Sequence, residues 1–313
     1  MARILITGGA GFIASSLAES LAKSSEHEIT LVDNLLTGKT EFIPDSPSIH
    51  FIKCDVNRFE DISGVFFSGN FDYVFHYAAM VGVARTINNP VKVLDDIDGI
   101  RNILNLSKNT GVKRIFYSSS SEVYGEPVEI PQNELTTPLN SRLPYAIVKN
   151  LGEAYLKSYH QEYGLEYTIF RFFNTYGPKQ SNDFVITRFI DAALNNQDLL
   201  VYGDGRQTRT FCYIDDNTET VRSIFESNLY INDVVNIGSD QEISILQLAE
   251  TIKALFHSES RIVHLPPLQD GDMTRRKPDN SKMREVLGKP LMNLEEGLTK
   301  SADYFKSILN VRN

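Results

Sequence analysis

The sequence predicts a doubly wound α/β fold, a parallel sheet covered by helices with a smaller C-terminal region, and three observations carry that prediction. Short, nearly continuously apolar runs alternate with longer segments of helical period. The first run passes through a cluster of glycines straight into a helical pattern, and an acid closes the second run about twenty residues further on.

Taken in order, RILIT at 3 to 7, EITLVD at 28 to 33, HFIKCD at 50 to 55, FDYVFHYA at 71 to 78, VKRIFYSS at 112 to 119 and EYTIFRFF at 166 to 173 read as strands. Runs that are apolar throughout are expected of strands buried on both faces of a parallel sheet. Between them, FIASSLAESLAKS and YAIVKNLGEAYLKSYHQEYG carry apolar residues at helical spacing, as crossover helices require. After Asn174 the order is less regular. TYGPKQSND is rich in turn residues, and a helix around 184 to 195, a strand from Leu199 to Tyr202 and the segment RTFCYIDDN follow. No internal repeat or low-complexity tract interrupts the chain.

The 313 residues are 42% hydrophobic and 23% charged, the composition of an ordinary globular chain. No run approaches the length of a membrane span, and MARILITGG is broken by glycine too early to act as a signal peptide, which predicts a cytoplasmic protein. Cys54 and Cys212 lie far apart and outside any CxxC pattern, so no zinc cluster or disulfide framework is expected. A net charge of -9 without an extended basic block argues against nucleic acid or an anionic membrane as partner. An anionic ligand would need local positive groups.

The first strand runs into ITGGAGFIASS, with Gly8, Gly9 and Gly11 between strand and helix and the small Ala14 at the third position of the common spacing. A tight glycine turn lets the backbone approach a pyrophosphate, and the helix N-terminus offers unpaired N–H groups and the positive end of a dipole. Phe12 and Ile13 open that helix. Asp33 ends the second strand, where a carboxylate accepts from ribose hydroxyls and repels a 2′-phosphate, so the pattern points to NAD rather than NADP. A turn cap is the plainer alternative for Asp33. Asn34 beside it, Asp55 and Val56 after the third strand and Ala78 after the fourth complete the expected cofactor contacts, with Asp55 toward the adenine edge or merely in a turn. His76 reads as structural. Residues 1 to 173 are thus expected to form a NAD-binding Rossmann domain and 174 to 313 mainly a substrate-binding region, with segments returning to the sheet.

Tyr145 and Lys149 stand at i and i+4 in YAIVK and share one face of a helix. A nearby ammonium favours phenolate, which would make Tyr145 a base able to take a hydroxyl proton while hydride leaves the same carbon. With fourteen tyrosines, about one Tyr-x-x-x-Lys match arises by chance, so the weight comes from the upstream glycine turn and from the four serines of FYSSSSEVYGEP.

TGGAGFI, HYAA, SSSSEVYG, YAIVK, RFFNTYGP and YGDGRQTRTFCYIDD together resemble, over essentially the whole chain, the extended short-chain dehydrogenases/reductases acting on nucleotide sugars. The resemblance implies a tightly held NAD that oxidises the sugar, usually at C4, and is regenerated before product leaves. It assigns proton abstraction to Tyr145, support of phenolate and nicotinamide ribose to Lys149, and hydrogen bonding of the reacting hydroxyl to Ser120. It also implies diphosphate contacts from Asn174 and Arg209.

Within that family many 4-epimerases have a small polar residue at the position of Glu122, because epimerisation needs no extra acid. The dTDP-glucose-type 4,6-dehydratases carry an Asp-Glu pair. UDP-glucuronate decarboxylases resemble this chain in Ser121 followed by Glu122, and some UDP-N-acetylglucosamine 4,6-dehydratases share that pair. The distal GDMTRRKPDNSK is similar to the decarboxylase pattern in placing Arg276 before a basic residue and proline, where its fork suits a carboxylate. A solvated basic turn is the plainer reading. AAMVGVARTINNP, residues 78 to 90, looks more like the epimerase and dehydratase branches.

The expected function is therefore oxidation of UDP-glucuronate at C4, loss of carbon dioxide and return of hydride to give UDP-xylose. A nucleotide-sugar 4,6-dehydratase and a 4-epimerase are the alternatives, and a NAD-sensing binding protein is the alternative outside enzymes. The family also implies a homodimer, with Val93, Ile97, Ile100 and Leu104 on a long helical pattern around 90 to 108 as a candidate face beside the helix at 145 to 162.

Overall fold

The computed structural model describes residues 1–23, 27–267 and 273–311. Strands β1 (Ala2–Thr7), β2 (His27–Asp33), β3 (Ile49–Lys53), β4 (Tyr73–His76), β5 (Arg114–Ser120) and β6 (Glu166–Phe172) form a parallel sheet. Further on lie β7 (Thr175–Tyr176), β8 (Leu199–Tyr202), β9 (Thr208–Thr210), β10 (Cys212–Tyr213), β11 (Asp233–Ile237), β12 (Glu242–Ser244) and β13 (Ile262–Leu265). β11 pairs parallel with β6 and makes the sheet seven-stranded, in the order β11-β6-β5-β4-β1-β2-β3. The six sequence-read strands thus gain a seventh, VVNI, whose short apolar run sits among irregular segments. The remaining strands pair two by two, β7 with β10, β8 with β13 and β9 with β12.

The helices are α1 (Phe12–Ala22), α2 (Phe59–Gly69), α3 (Val83–Asn88), α4 (Pro90–Leu94), α5 (Asp96–Thr110), α6 (Pro144–Tyr163), α7 (Val185–Leu194), α8 (Ile214–Glu226), α9 (Ile245–Leu255), α10 (Ser281–Leu287) and α11 (Leu294–Val311). One face of the sheet packs on α2, α5 and α6 through Val65, Ile103, Leu104 and Leu156. The other packs on α1 and α8 through Leu17, Leu21, Val221 and Ile224. A third cluster, around Ile186, Phe189, Leu199, Leu248 and Leu298, belongs to the C-terminal half.

Two sequence expectations change here. β3 is an edge strand whose His50, Ile52 and Lys53 are exposed, so it is buried on neither face along its whole length. The helical pattern from 90 to 108 breaks at Asp95, and Val93, Ile100 and Leu104 are buried within this one chain, with Ile97 packed against them. Their spacing records the monomer core rather than a free face.

The chain order reverses between β1 and β4, whose following strands run to opposite sides of the sheet. Ligands of open α/β sheets sit at such a switch, beyond the carboxyl ends of the strands. Thr7 and His76 pair across it, and their strands lead to Gly8 and Ala78.

Candidate active site

A cleft of about 1110 Å³ opens along the carboxyl ends of β1, β2, β4, β5 and β6. Its lining contains Gly8, Gly11, Phe12, Ile13, Asp33, Asn34, Asp55, Val56, Ala78, Ser120, Ser121, Glu122, Tyr145, Lys149, Asn174 and Arg276, so every site residue read from the sequence except Arg209 meets there.

At the switch point Gly8 has φ +70°, and a Cβ on it would stand 2.9 Å from the Ala78 nitrogen. Only glycine fits both the left-handed backbone and this approach. Gly11 caps α1 with extended backbone, no side-chain cap and no acid in the first turn, which leaves the α1 amides open to an anion. Asp33 accepts from Ala10 N–H at 3.1 Å and Leu35 N–H at 2.7 Å, so it does shape the turn. A carboxylate has lone pairs left for ribose hydroxyls after two such bonds. Burial pushes its carboxyl above the ordinary range, against those two N–H bonds. Asp55 accepts from Asn34 Nδ2 at 3.1 Å and from Asn57 N–H at 3.0 Å. An anion cradle at α1 followed by an acid at β2 fits a dinucleotide.

His76 is structural. Thr7 Oγ1 accepts the N–H groups of Tyr77 and Ala78 at 3.1 and 3.0 Å and lies 2.8 Å from His76 Nδ1. Its own proton therefore goes to Nδ1, which must be unprotonated. Burial, with the Lys149 charge adding, pulls His76 down to about 3.

Ser120 ends β5, and its side chain accepts Glu122 N–H at 3.2 Å, starting the 3-10 turn Ser121–Tyr124 that presents Glu122 to the cleft. Behind this turn stands a buried network. Ser119 donates to Glu153 Oε1 at 2.6 Å, and Arg171 pairs with both Glu153 oxygens, at 2.9 and 2.7 Å. Arg171 also donates to the Tyr124 hydroxyl at 2.9 Å, which in turn donates to Asn236 of β11 at 2.7 Å. The seventh strand thus braces the turn that carries Glu122.

Lys149 projects from α6 and donates to the Ser118 carbonyl at 2.7 Å, with its ammonium 5.8 Å from the centre of the Tyr145 ring. Burial lowers it to about 8, opposed by Asp96. Burial raises the Tyr145 phenol well above its ordinary value, the Glu122 charge adds to this, and a hydrogen bond with Ser120 opposes it. Desolvation of the phenolate thus dominates Tyr145 in the free chain.

Arg276 is 7% exposed, and its Nη2 donates to Glu122 Oε1 at 3.1 Å. The Gly271 and Asp272 that open its motif lie outside the described residues. Arg209 is buried and donates to the Thr208 carbonyl at 2.8 Å, and it is not among the residues lining the cleft. Asn174 does line the cleft, at φ +34°, with Nδ2 on the Thr210 carbonyl at 2.9 Å. Sequence reasoning passed over Arg85, Asp96, Lys179 and Asp183, which also line it. Arg85 of α3 and Asp183 of the segment between β7 and α7 pair at 2.8 Å, a contact with no local sequence signal. Lys179 lines the cleft while its ammonium pairs with Glu19 at 3.5 Å and donates to the Phe42 carbonyl at 3.3 Å.

The model of the NAD dependent epimerase/dehydratase family matches residues 4–238. The chain belongs to that family. Among its relatives, the UDP-N-acetyl-alpha-D-glucosaminuronate decarboxylase of Bacillus cytotoxicus is 38% identical over 98% of this chain and 99% of its own length. The UDP-glucuronic acid decarboxylase 1 of Danio rerio is 38% identical over 97% of this chain and 72% of its own. Among solved structures, the UDP-glucose 4-epimerase of Thermotoga maritima with UDP-glucose superposes with a TM-score of 0.91 at 32% identity, covering 98% of this chain and 99% of that one. NAD is the cofactor of the family, and the α1 cradle with Asp33 is built for it. The described residues contain no helix long and apolar enough to cross a membrane and no cluster of metal-ligating side chains.

Proposed function

We propose that this family member is a NAD-dependent decarboxylase of a UDP-linked hexuronate, with UDP-glucuronate to UDP-xylose as the leading reaction. The observation that carries the reading is the Arg276–Glu122 pair facing the same cleft as Tyr145 and Ser120. A guanidinium fork beside the sugar site suits a substrate carboxylate, and the two decarboxylase relatives add support.

Gly8, Gly11, Phe12, Ile13, Asp33, Asn34, Asp55, Val56 and Ala78 would hold NAD, which supplies the redox chemistry by taking hydride from C4 and returning it. Ser120 orients the C4 hydroxyl, and Tyr145 takes its proton. Lys149 holds the nicotinamide ribose and Tyr145 in place. The resulting C4 ketone is β to the carboxylate, so the electrons of the breaking C5–C6 bond pass into an enolate as carbon dioxide leaves. Arg276 fixes the carboxylate, and the Ser121–Glu122 turn serves protonation at C5, after which Tyr145 returns its proton to the C4 oxygen. Asn174 contacts the diphosphate.

Residues 1 to 173 act as the cofactor domain and 174 to 313 mainly as the nucleotide-sugar region, in a cytoplasmic homodimer. Exposed Val91 and Leu94 on α4 and Ile147 on α6 replace the buried positions as the candidate dimer face. Light scattering at micromolar concentration that returns only monomer would remove the dimer. A 4,6-dehydratase or 4-epimerase is the second reading, favoured by the 78 to 90 loop. Incubation with a panel of nucleotide sugars followed by mass analysis tests the function: loss of carbon dioxide supports it, while loss of water or an isomer of unchanged mass supports the second reading.

A further inference from the structure

Among the cleft carboxyls that the chemistry above leaves unused is Asp96. Asp96 is the first residue of α5, where the positive end of the helix dipole favours an anion. Its Oδ2 accepts the Met80 N–H at 2.7 Å, which pins the turn that follows Ala78. The Asn57 side chain hydrogen-bonds to it from the turn after β3. Asn57 is itself packed so tightly on Gly99, one turn along α5, that a Cβ there would lie 2.4 Å from Asn57 Oδ1. Asp96 therefore joins three segments of the cleft: the end of β3, the turn after β4 and the start of α5.

Lys149 lines the same cleft. Among the described residues no carboxylate is in contact with it. Its ammonium lies against the Ser118 carbonyl and the rings of Tyr117 and Tyr145. We propose that Asp96 is a further positioning residue of this site, holding the Ala78–Met80 turn through the main chain and supplying the negative charge that faces buried Lys149.

The charges around the pair agree with this role. Lys149 is opposed by Asp96 from α5 and meets the neutral His76 of β4, Tyr117 of β5 and Tyr145 of its own helix. Burial raises the Asp96 carboxyl, with the Asp55 charge adding, while the Met80 N–H, the Lys149 charge and the Asn57 side chain pull it back down. Tyr145 faces Glu122 and Arg276 as well as Asp96. Burial pulls Lys149 down and Asp96 pulls it up, while the same carboxylate raises Tyr145. Burial dominates both groups, and on top of it the Asp96 charge raises each member of the proton-transferring pair.

The proposal rests on the reading of Tyr145 and Lys149 given above, and two measurements separate them. The first is a titration of the ligand-free chain carrying ¹³Cε-lysine, with Lys149→Arg identifying the Lys149 signal. Asp96→Asn keeps an acceptor for Met80 and removes the charge, so the Lys149 midpoint should fall by about one pH unit, and Asp96→Glu should restore it. The second is the pH profile of turnover on the nucleotide sugar that the wild type converts. The two limbs report the ionisations of the Tyr145–Lys149 pair, and both should move to lower pH in Asp96→Asn because the lost charge raised both groups. A merely structural role would lower the rate without moving either limb. If Asp96→Asn does not fold, Asp96→Ser, which also retains an oxygen acceptor, takes its place in both measurements. An unmoved Lys149 midpoint together with unmoved limbs overturns the proposal. A wild type that converts no nucleotide sugar sinks the functional reading instead, and the lysine titration still decides the role of Asp96.

Discussion

Arg276 Nη2 stands 3.1 Å from Glu122 Oε1, an ion pair between residues 154 positions apart that joins the catalytic turn to the distal basic motif. Neither group is fully exposed, so each fixes the other. Removal of the arginine should both free the Glu122 carboxylate and delete the fork offered to a substrate carboxylate. Arg276→Met is expected to raise KM for UDP-glucuronate and lower kcat/KM by about 10- to 100-fold, in line with the loss of a charged hydrogen bond of roughly 1.5–3 kcal/mol. Binding of UDP itself, followed by calorimetry, should change little. Equal losses for UDP and UDP-glucuronate would assign Arg276 to the nucleotide instead.

Glu122→Gln keeps size and hydrogen bonding but cannot exchange a proton at a useful pKa. C4 oxidation should survive and the later steps should slow, so enzyme-bound NADH should accumulate in a single turnover with the true substrate. Rapid mixing with absorbance at the reduced-nicotinamide band checks this. Wild-type turnover without NADH build-up returns the SSSSEVYG segment to substrate positioning.

Tyr145→Phe removes the proposed proton acceptor and leaves ring and helix in place. Turnover should fall by about 10²–10⁴-fold, with nucleotide-sugar affinity largely intact by calorimetry. Near-normal turnover would falsify the assignment.

The buried Arg171–Glu153 pair is 2% and 1% exposed. Arg171→Met strands the Glu153 carboxylate and loosens Tyr124 in the catalytic turn, so stability should drop by about 3–5 kcal/mol. Urea unfolding measures the loss. The paired substitution Arg171→Met with Glu153→Leu should recover part of it, and no recovery would mean that packing rather than charge carries the effect.

His76 sets a pH dependence. Its folded value of about 3 lies below the ordinary 6.5, so the unfolded chain binds more protons between those limits and stability rises with pH across that window. The contribution is up to about 1.4 kcal/mol per pH unit from one proton. His76→Gln should flatten the urea midpoint against pH between 3 and 6.5 relative to wild type. An unchanged slope would assign the acid sensitivity to other groups.

The six strands, the glycine turn, Asp33 and the i, i+4 placement of Tyr145 and Lys149 were legible in the sequence because each is a local pattern. Periodicity, a turn and a helical spacing are imposed by backbone geometry over a few residues. Glu122 was legible through the resemblance of the Ser121–Glu122 pair to the decarboxylase pattern, though its pairing with Arg276 was not.

What tertiary structure decided are relationships across crossovers. Val93, Ile100 and Leu104 carry the same helical spacing whether they cover a partner or a core, and only packing against the sheet shows that they are used within the chain. Arg209 sits in a motif that resembles a phosphate site, and only the tertiary structure shows it buried with Nη1 on the Thr208 carbonyl. β11 became a sheet strand because the open edge of β6 offers a ladder of unpaired main-chain groups to a short apolar run. Asp96 and Lys149 lie 53 residues apart by their numbering, on different helices. They face one cleft because the parallel sheet brings every crossover back to the same edge before the next strand begins.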